Sequence, residues 1–274
     1  MKPNYGIESV TLNVHDLEKL STFYQEIIGL EMINQSDSTV DLGVKDHILL
    51  SLNKVESTHR KQNTGLYHFA LLLDSRKALG SFLLHLISTK YPIDGASDHG
   101  YSEALYLTDP EGNGIEVYAD KDINAWDIKD DGTIEGITIA MDIDGVIKEA
   151  EQNINKLNNN TIMGHVHLFV TDLETTEDFY VDKLGFDLKF NYGAQAKFMA
   201  SGLYHHHIAA NTWAGTHLQA PENNDLGIHH FTINTTEDLK TIHDNLLKNQ
   251  IDVTLDNNTL IMKDNSGIGV HIVN

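Results

Sequence analysis

Sixteen histidines and no cysteine in a 274-residue chain set the terms for any chemistry this sequence can perform. Disulfides, thiolate metal sites, iron–sulfur clusters and cysteine nucleophiles are excluded, so any metal must be held by His, Asp or Glu. Ten of the sixteen histidines lie from His165 onward. In GHVHLFV, His165 and His167 alternate with Val166, Leu168 and Val170. A strand sends such alternating sets to opposite faces, imidazoles to one and aliphatics to the other. In HHFTI, Phe231 and Ile233 share a face with His229, which turns His230 the other way. His205, His206 and His207 are consecutive in YHHHIAANTW, flanked by Tyr204 and Trp213. Imidazole titrates near neutrality and serves equally for proton transfer or metal ligation.

The elements that must position these residues form a duplicated frame. The segment Ser9 to Leu30 (SVTLNVHDLEKLSTFYQEIIGL) aligns with His165 to Phe186 (HVHLFVTDLETTEDFYVDKLGF) at a constant offset of 156 residues, with nine identities including Asp16, Leu17, Glu18, Phe23, Tyr24 and Gly29. Such self-similarity is the mark of duplication. Each copy reads as an alternating strand followed by a helix opened by Asp-Leu-Glu and closed by Gly29 or Gly185. Further strands are expected at HILLSL from His47 and HHHIAANTW from His205. A looser copy recurs within each half. YHFALLLD from Tyr67 precedes an amphipathic helix and the strand–turn–strand ALYLTDPEGNGIEVYA, and HHFTIN from His229 precedes a helix and TLIMKDNSGIGVHIV. Asp109, Gly112 and Gly114 correspond to Asp264, Gly267 and Gly269. The expected organisation is residues 1–120, a linker at 121–160 with a short strand in TIEGITIAMDI and a helix running into NKLNNN, and residues 161–274.

Composition narrows the partners. The net charge of -21 repels phosphate backbones and anionic lipids, and no Lys/Arg cluster overrides it locally, so neither nucleic acid nor membrane is expected. The start MKPNYGIESV lacks the regions of a secretory signal and no apolar run is long enough for a bilayer, which makes the cytoplasm the expected location.

The strand followed by DLE…FY…LGF and the DPEGNGIE turn resemble the vicinal-oxygen-chelate superfamily of glyoxalase I, bleomycin and fosfomycin resistance proteins, and type I extradiol dioxygenases. GLYHFALLL, SEALYLTDPEGNGIEVYAD, GHVHLFVTDL and YHHHIAANTWAG are similar to bacterial catechol-2,3-dioxygenase-like proteins. The resemblance implies an α+β fold of four βαβββ modules paired into two open-barrel domains, with helices outside and ligand cavities inside. It implies one cavity per half, the C-terminal one being functional.

By the same resemblance His165 stands at the first-strand position that supplies an iron ligand, His230 at the second ligand position, and His271 where the family has Glu. Three neutral imidazoles leave the ion's charge uncompensated, a role open to an anionic catecholate-like ligand. His68 and Glu116 occupy the second and third positions of the first half, where Ser9 stands at the first; they form a weaker candidate site or a hydrogen-bonded pair. His206 falls at the acid/base position, with His167, Tyr204 and Trp213 as candidate substrate contacts. The second acid/base His and the Tyr that the family places before the final strand have no counterpart in DVTLDNNTLIMK.

The function this implies is metal-dependent extradiol cleavage of a catechol or hydroquinone-type aromatic by O2, with Fe(II) as the metal and Zn or Mn as alternatives. A glyoxalase-like isomerase or lyase and a protein that sequesters an aromatic or antibiotic compound are the competing readings. A homo-oligomer is the candidate assembly.

Overall fold

The computed structural model describes residues 4–151 and 155–274. The expected modules form, but their sheets do not follow the halves of the sequence. Module one pairs with module four in an eight-stranded sheet. Its centre is Tyr5–Val14, antiparallel to Gly227–Thr235 and parallel to His47–Lys54, with Gly269–Val273 next to Gly227–Thr235. Module two pairs with module three in a nine-stranded sheet centred on Gly65–Leu73, which lies between Gly114–Asp120 (parallel) and Ile162–Phe169 (antiparallel). The expectation of one self-contained cavity per half is therefore corrected: each sheet draws one module from either half. The first strand of each module offers one open backbone edge, and in both sheets the first strand of a module from the other half fills it, as Ile162–Phe169 does for Gly65–Leu73.

The helices form where the acidic caps place them. Asp16 Oδ1 accepts from the Lys19 amide at 3.0 Å to open Leu17–Phe23, and Asp172 Oδ1 accepts from the Thr175 amide at 2.7 Å to open Leu173–Glu177. Both helices continue as a π-turn, Tyr24–Ile28 and Asp178–Lys183, and Gly29 and Gly185 follow in the left-handed conformation. The wide turns bring Tyr24 and Tyr180 fully into the core, where each hydroxyl donates to the aspartate of a turn in the next module: Tyr24 to Asp109 Oδ2 and Tyr180 to Asp264 Oδ2, both at 2.8 Å. Burying a ring of this size stabilises by about 1.5–3 kcal/mol, provided its hydroxyl keeps a partner. The recurrent Phe-Tyr and Asp-x-x-Gly motifs are thus braces between modules.

Two expectations change. His205, His206 and His207 precede their strand, which is Ile208–Asn211, and lie in the bend leading into it. The linker is part of the fold: Ile139–Ala140 adds to the nine-stranded sheet beside Gly95–Asp98, while Ile134–Glu135 pairs with Asp127–Ile128. Its helix spans Ile143–Glu149; residues 152–154, before the polar run, lie outside the described residues. Among the described residues no helix is long and apolar enough to cross a membrane.

Candidate active site

Three neighbouring strands of the nine-stranded sheet bring His68, Glu116 and His165 together. Ala70 is the register partner of Glu116 on one side and of His165 on the other. Its methyl group leaves room for the two longer side chains to close over it, and His68, two residues earlier on the same strand, shares their face. Glu116 Oε2 lies 3.0 Å from His68 Nε2 and 3.2 Å from His165 Nε2, and the three ligand atoms lie within 4.8 Å of one another. All three side chains are buried. His68 Nε2, despite its proximity to the carboxylate, lacks hydrogen-bond alignment with any partner.

Electrostatics keeps the cluster in the form a cation requires. Burial pushes the Glu116 carboxyl up, but His165 and His68 outweigh it and hold it well below the usual range. Burial brings His165 down to about 4 against the opposing pull of Glu116, and burial with neighbouring imidazoles brings His167 well below its ordinary value. The result is a carboxylate facing the neutral imidazole of His165, with a lone pair available. Gly164 lets Tyr118 pass behind the cluster: a Cβ there would stand 1.9 Å from the Tyr118 hydroxyl oxygen.

The cluster opens into a cavity of about 1170 Å³. Tyr67, Phe169, Phe190, Tyr192, Phe198 and Trp213 supply its aromatic wall. His206 also lines it, with its ring 4.2 Å from that of His165 and 5.2 Å from Phe198. On the opposite side Tyr106, the register partner of Glu116, lies with its hydroxyl 2.6 Å from His99 Nε2, while His99 Nδ1 lies 2.9 Å from the Ile137 carbonyl oxygen. A carbonyl only accepts, so His99 Nδ1–H donates to it, and with a single ring proton Nε2 is the atom that accepts from Tyr106. Burial and Glu116 push the Tyr106 hydroxyl well above its ordinary value, so it keeps its proton.

The structure separates residues that the sequence reading grouped. His165 lies in the nine-stranded sheet, whereas His230 and His271 lie in the eight-stranded one, stacked with ring centroids 3.8 Å apart beside a second cavity of about 670 Å³. His230 Nε2 contacts the Thr11 hydroxyl at 3.2 Å. Among the described residues, the group of three that could hold a metal is His68, Glu116 and His165. The pair in the first half thus gains its third member from the second half. Of the three candidate substrate contacts, His167 and Trp213 line the main cavity. Tyr204 stands behind it, with its hydroxyl 2.7 Å from that of Tyr118, so its place as a cavity wall is corrected. His99 and Tyr106 were not singled out from the sequence, although both stand in DHGYSEALY; a His and a Tyr were expected before the final strand of the fourth module, whereas the second module places this His–Tyr pair at the cavity.

A family model described as the Glyoxalase/Bleomycin resistance protein/Dioxygenase superfamily matches residues 6–117 and 162–268. The chain is 41% identical over 228 residues to a catechol-2,3-dioxygenase of Bacillus subtilis strain 168, covering 81% of this chain and 80% of that one. Its fold is similar to a putative dioxygenase from B. subtilis (TM-score 0.66, 13% identity, 99% of this chain and 86% of that one). It is also similar to glyoxalase I from Zea mays (TM-score 0.61, 15% identity, 99% and 92%).

Proposed function

Because the chain belongs to the Glyoxalase/Bleomycin resistance protein/Dioxygenase superfamily, we propose that it is a metal-dependent extradiol dioxygenase that cleaves a catechol or hydroquinone-type aromatic with O2. The observation that carries this reading is the buried His68–Glu116–His165 cluster, opening on an aromatic-walled cavity. Two imidazoles and one carboxylate match the donor set of non-haem Fe(II) oxygenases. His68 Nε2, buried 3.0 Å from Glu116 Oε2 without hydrogen-bond alignment to it, fits the role of a metal-ligand atom. The carboxylate that the C-terminal triad lacked is Glu116, so Fe(II) is the metal this reading assigns.

The chemistry that a divalent ion held by these three residues supplies is Lewis-acid stabilisation of the deprotonated diol and a common centre for diol and oxygen. The protein's own residues handle orientation and protons. His206 borders the cluster and accepts a diol proton at its cavity-facing nitrogen. Tyr106, whose one hydroxyl proton goes to His99 Nε2, presents its oxygen as an acceptor on the other side of Glu116. Trp213, Tyr67 and Phe198 wall the ring of the substrate and keep water from it.

An oxygen electrode tests the reading. Protein loaded anaerobically with Fe(II) and given a catechol is expected to consume oxygen and form a yellow ring-opened product. Catechol binding without oxygen consumption, under conditions where a known extradiol enzyme works, would replace ring cleavage with sequestration or isomerisation.

A further inference from the structure

His206 does not meet the cavity alone. Its Nδ1 lies 2.8 Å from Nδ1 of His205, and His205 Nε2 lies 3.0 Å from Asp120 Oδ1. The ring of His205 is held in plane between Tyr101, stacked at 4.2 Å and 12°, and Tyr204 at 4.1 Å. Neither histidine side chain has room to turn: both are buried, at 1% and 5% exposure.

These contacts restrict where protons can sit. A carboxylate oxygen only accepts, so the proton of His205 belongs on Nε2. In the form that carries one proton on each ring, His205 Nδ1 holds a lone pair and His206 donates across the contact between the two Nδ1 atoms. Resting on the reading of His206 as the base of the site, we propose that Asp120 and His205 are positioning residues. They fix His206 with its proton on Nδ1 and its Nε2 lone pair toward the cavity. His205 and Asp120 do not line the cavity, and the His205 ring meets that of His165 only edge-on, with centroids 6.4 Å apart; they act through His206. Asp120 comes from the second module and the histidines from the third, so the same cross-half pairing that assembles the cluster also orients its neighbour.

Histidine tautomers are read directly by two-bond proton–nitrogen correlation spectra of 15N-labelled protein. The full chain would be measured without added metal and again with Zn(II), which is diamagnetic. His206→Gln and His205→Phe identify the resonances. The expected spectrum has an unprotonated Nε2 and a protonated Nδ1 for His206, and the converse for His205. Asp120→Ala should move His206 to a mixture containing the Nε2–H form, and Asp120→Glu should restore the original tautomer. In turnover, Asp120→Ala should lower kcat by roughly 10-fold to 100-fold with KM within about twofold, the range for a residue that orients another. A proton on Nε2 of His206 in the unmodified chain overturns the proposal, as does an unchanged tautomer in both Asp120→Ala and His205→Phe. Because the spectrum is independent of oxygen chemistry, the expected tautomer in a chain that consumes no oxygen supports the positioning and removes only the ring-cleavage reading.

Discussion

Glu116 Oε2 lies 3.2 Å from His165 Nε2, although the two residues belong to different halves of the duplicated sequence. The contact exists because Gly65–Leu73 pairs with Ile162–Phe169, and Ala70 at the crossing is small enough for both side chains to close over it. It makes the cluster a property of the assembled sheet, and neither half owns it.

Metal content should follow that membership. Glu116→Gln removes the only negative charge among the three donors, and His165→Ala removes a nitrogen; each is expected to weaken divalent-metal affinity by at least roughly 100-fold, beyond the loss seen for outer contacts. His271→Ala should leave it unchanged, because His271 stacks on His230 in the other sheet. Elemental analysis with a chelator competition measures all three. Metal loss in His271→Ala equal to that in His165→Ala would contradict the assignment.

Loss of the cavity base should be separable from loss of metal. His206→Ala is expected to slow turnover by roughly 10²-fold to 10⁴-fold, the range for a general acid or base, with metal content intact. Tyr106→Phe deletes the hydroxyl that meets His99 and should also lower kcat while retaining metal. Steady-state kinetics of metal-quantified protein distinguishes these outcomes from a damaged cluster.

Much of this is legible in the sequence itself. Alternation in GHVHLFV placed His165 and His167 on the cavity face, and parity in YHFALLLD is consistent with His68 opposite Phe69. The Asp-Leu-Glu caps marked two helix starts correctly. What periodicity lacks is any record of which module pairs with which. A strand pattern specifies its faces but not its neighbour across a hydrogen-bonded edge, and duplicated modules offer near-equivalent edges. Treating each half as its own barrel therefore assigned His165 to His230 and His271 and left Glu116 without a third partner. The same choice hid His99 and Tyr106, which line the cavity from the second module. Tyr204 was misplaced for a different reason: a bend precedes Ile208–Asn211, so strand parity does not extend to it.

Gly164 is expected to be intolerant of even one added methyl group. A Cβ would stand 1.9 Å from the Tyr118 hydroxyl oxygen, and Tyr118 is fully buried with that hydroxyl bonded to Tyr204. Overpacking of this kind costs about 1–3 kcal/mol. Urea unfolding of Gly164→Ala should show that loss. The double variant Gly164→Ala/Tyr118→Phe should recover part of it by removing the obstructing oxygen. Full additivity of the two changes would show that the clash is not the cause.

Asp264 should make stability fall as pH rises. Burial pushes its carboxyl up from 3.8 to about 6, against hydrogen bonds from Tyr180 and the backbone of the turn. Below 3.8 the group is protonated in both folded and unfolded chains and contributes no pH dependence. Between 3.8 and about 6 the unfolded chain releases the proton while the folded chain retains it, so the stabilisation present at low pH is progressively lost, levelling off above about 6. A shift of this size corresponds to about 3 kcal/mol. Asp264→Asn imitates the protonated form with its partners kept. The amide oxygen can accept from the Ser266 and Ile268 amides, which now meet Oδ1 at 2.8 and 2.9 Å, and the amide nitrogen can donate to the Tyr180 hydroxyl oxygen, now 2.8 Å from Oδ2. Urea unfolding of both proteins between pH 4 and pH 7.5 isolates the effect, because every other titrating group is common to the pair. The Asn variant is expected to gain on the unmodified chain by about 2–3 kcal/mol over that interval, nearly all of it before pH 6.5. Parallel profiles would mean that Asp264 ionises at its ordinary pH and that the Tyr180 brace holds a carboxylate at no cost.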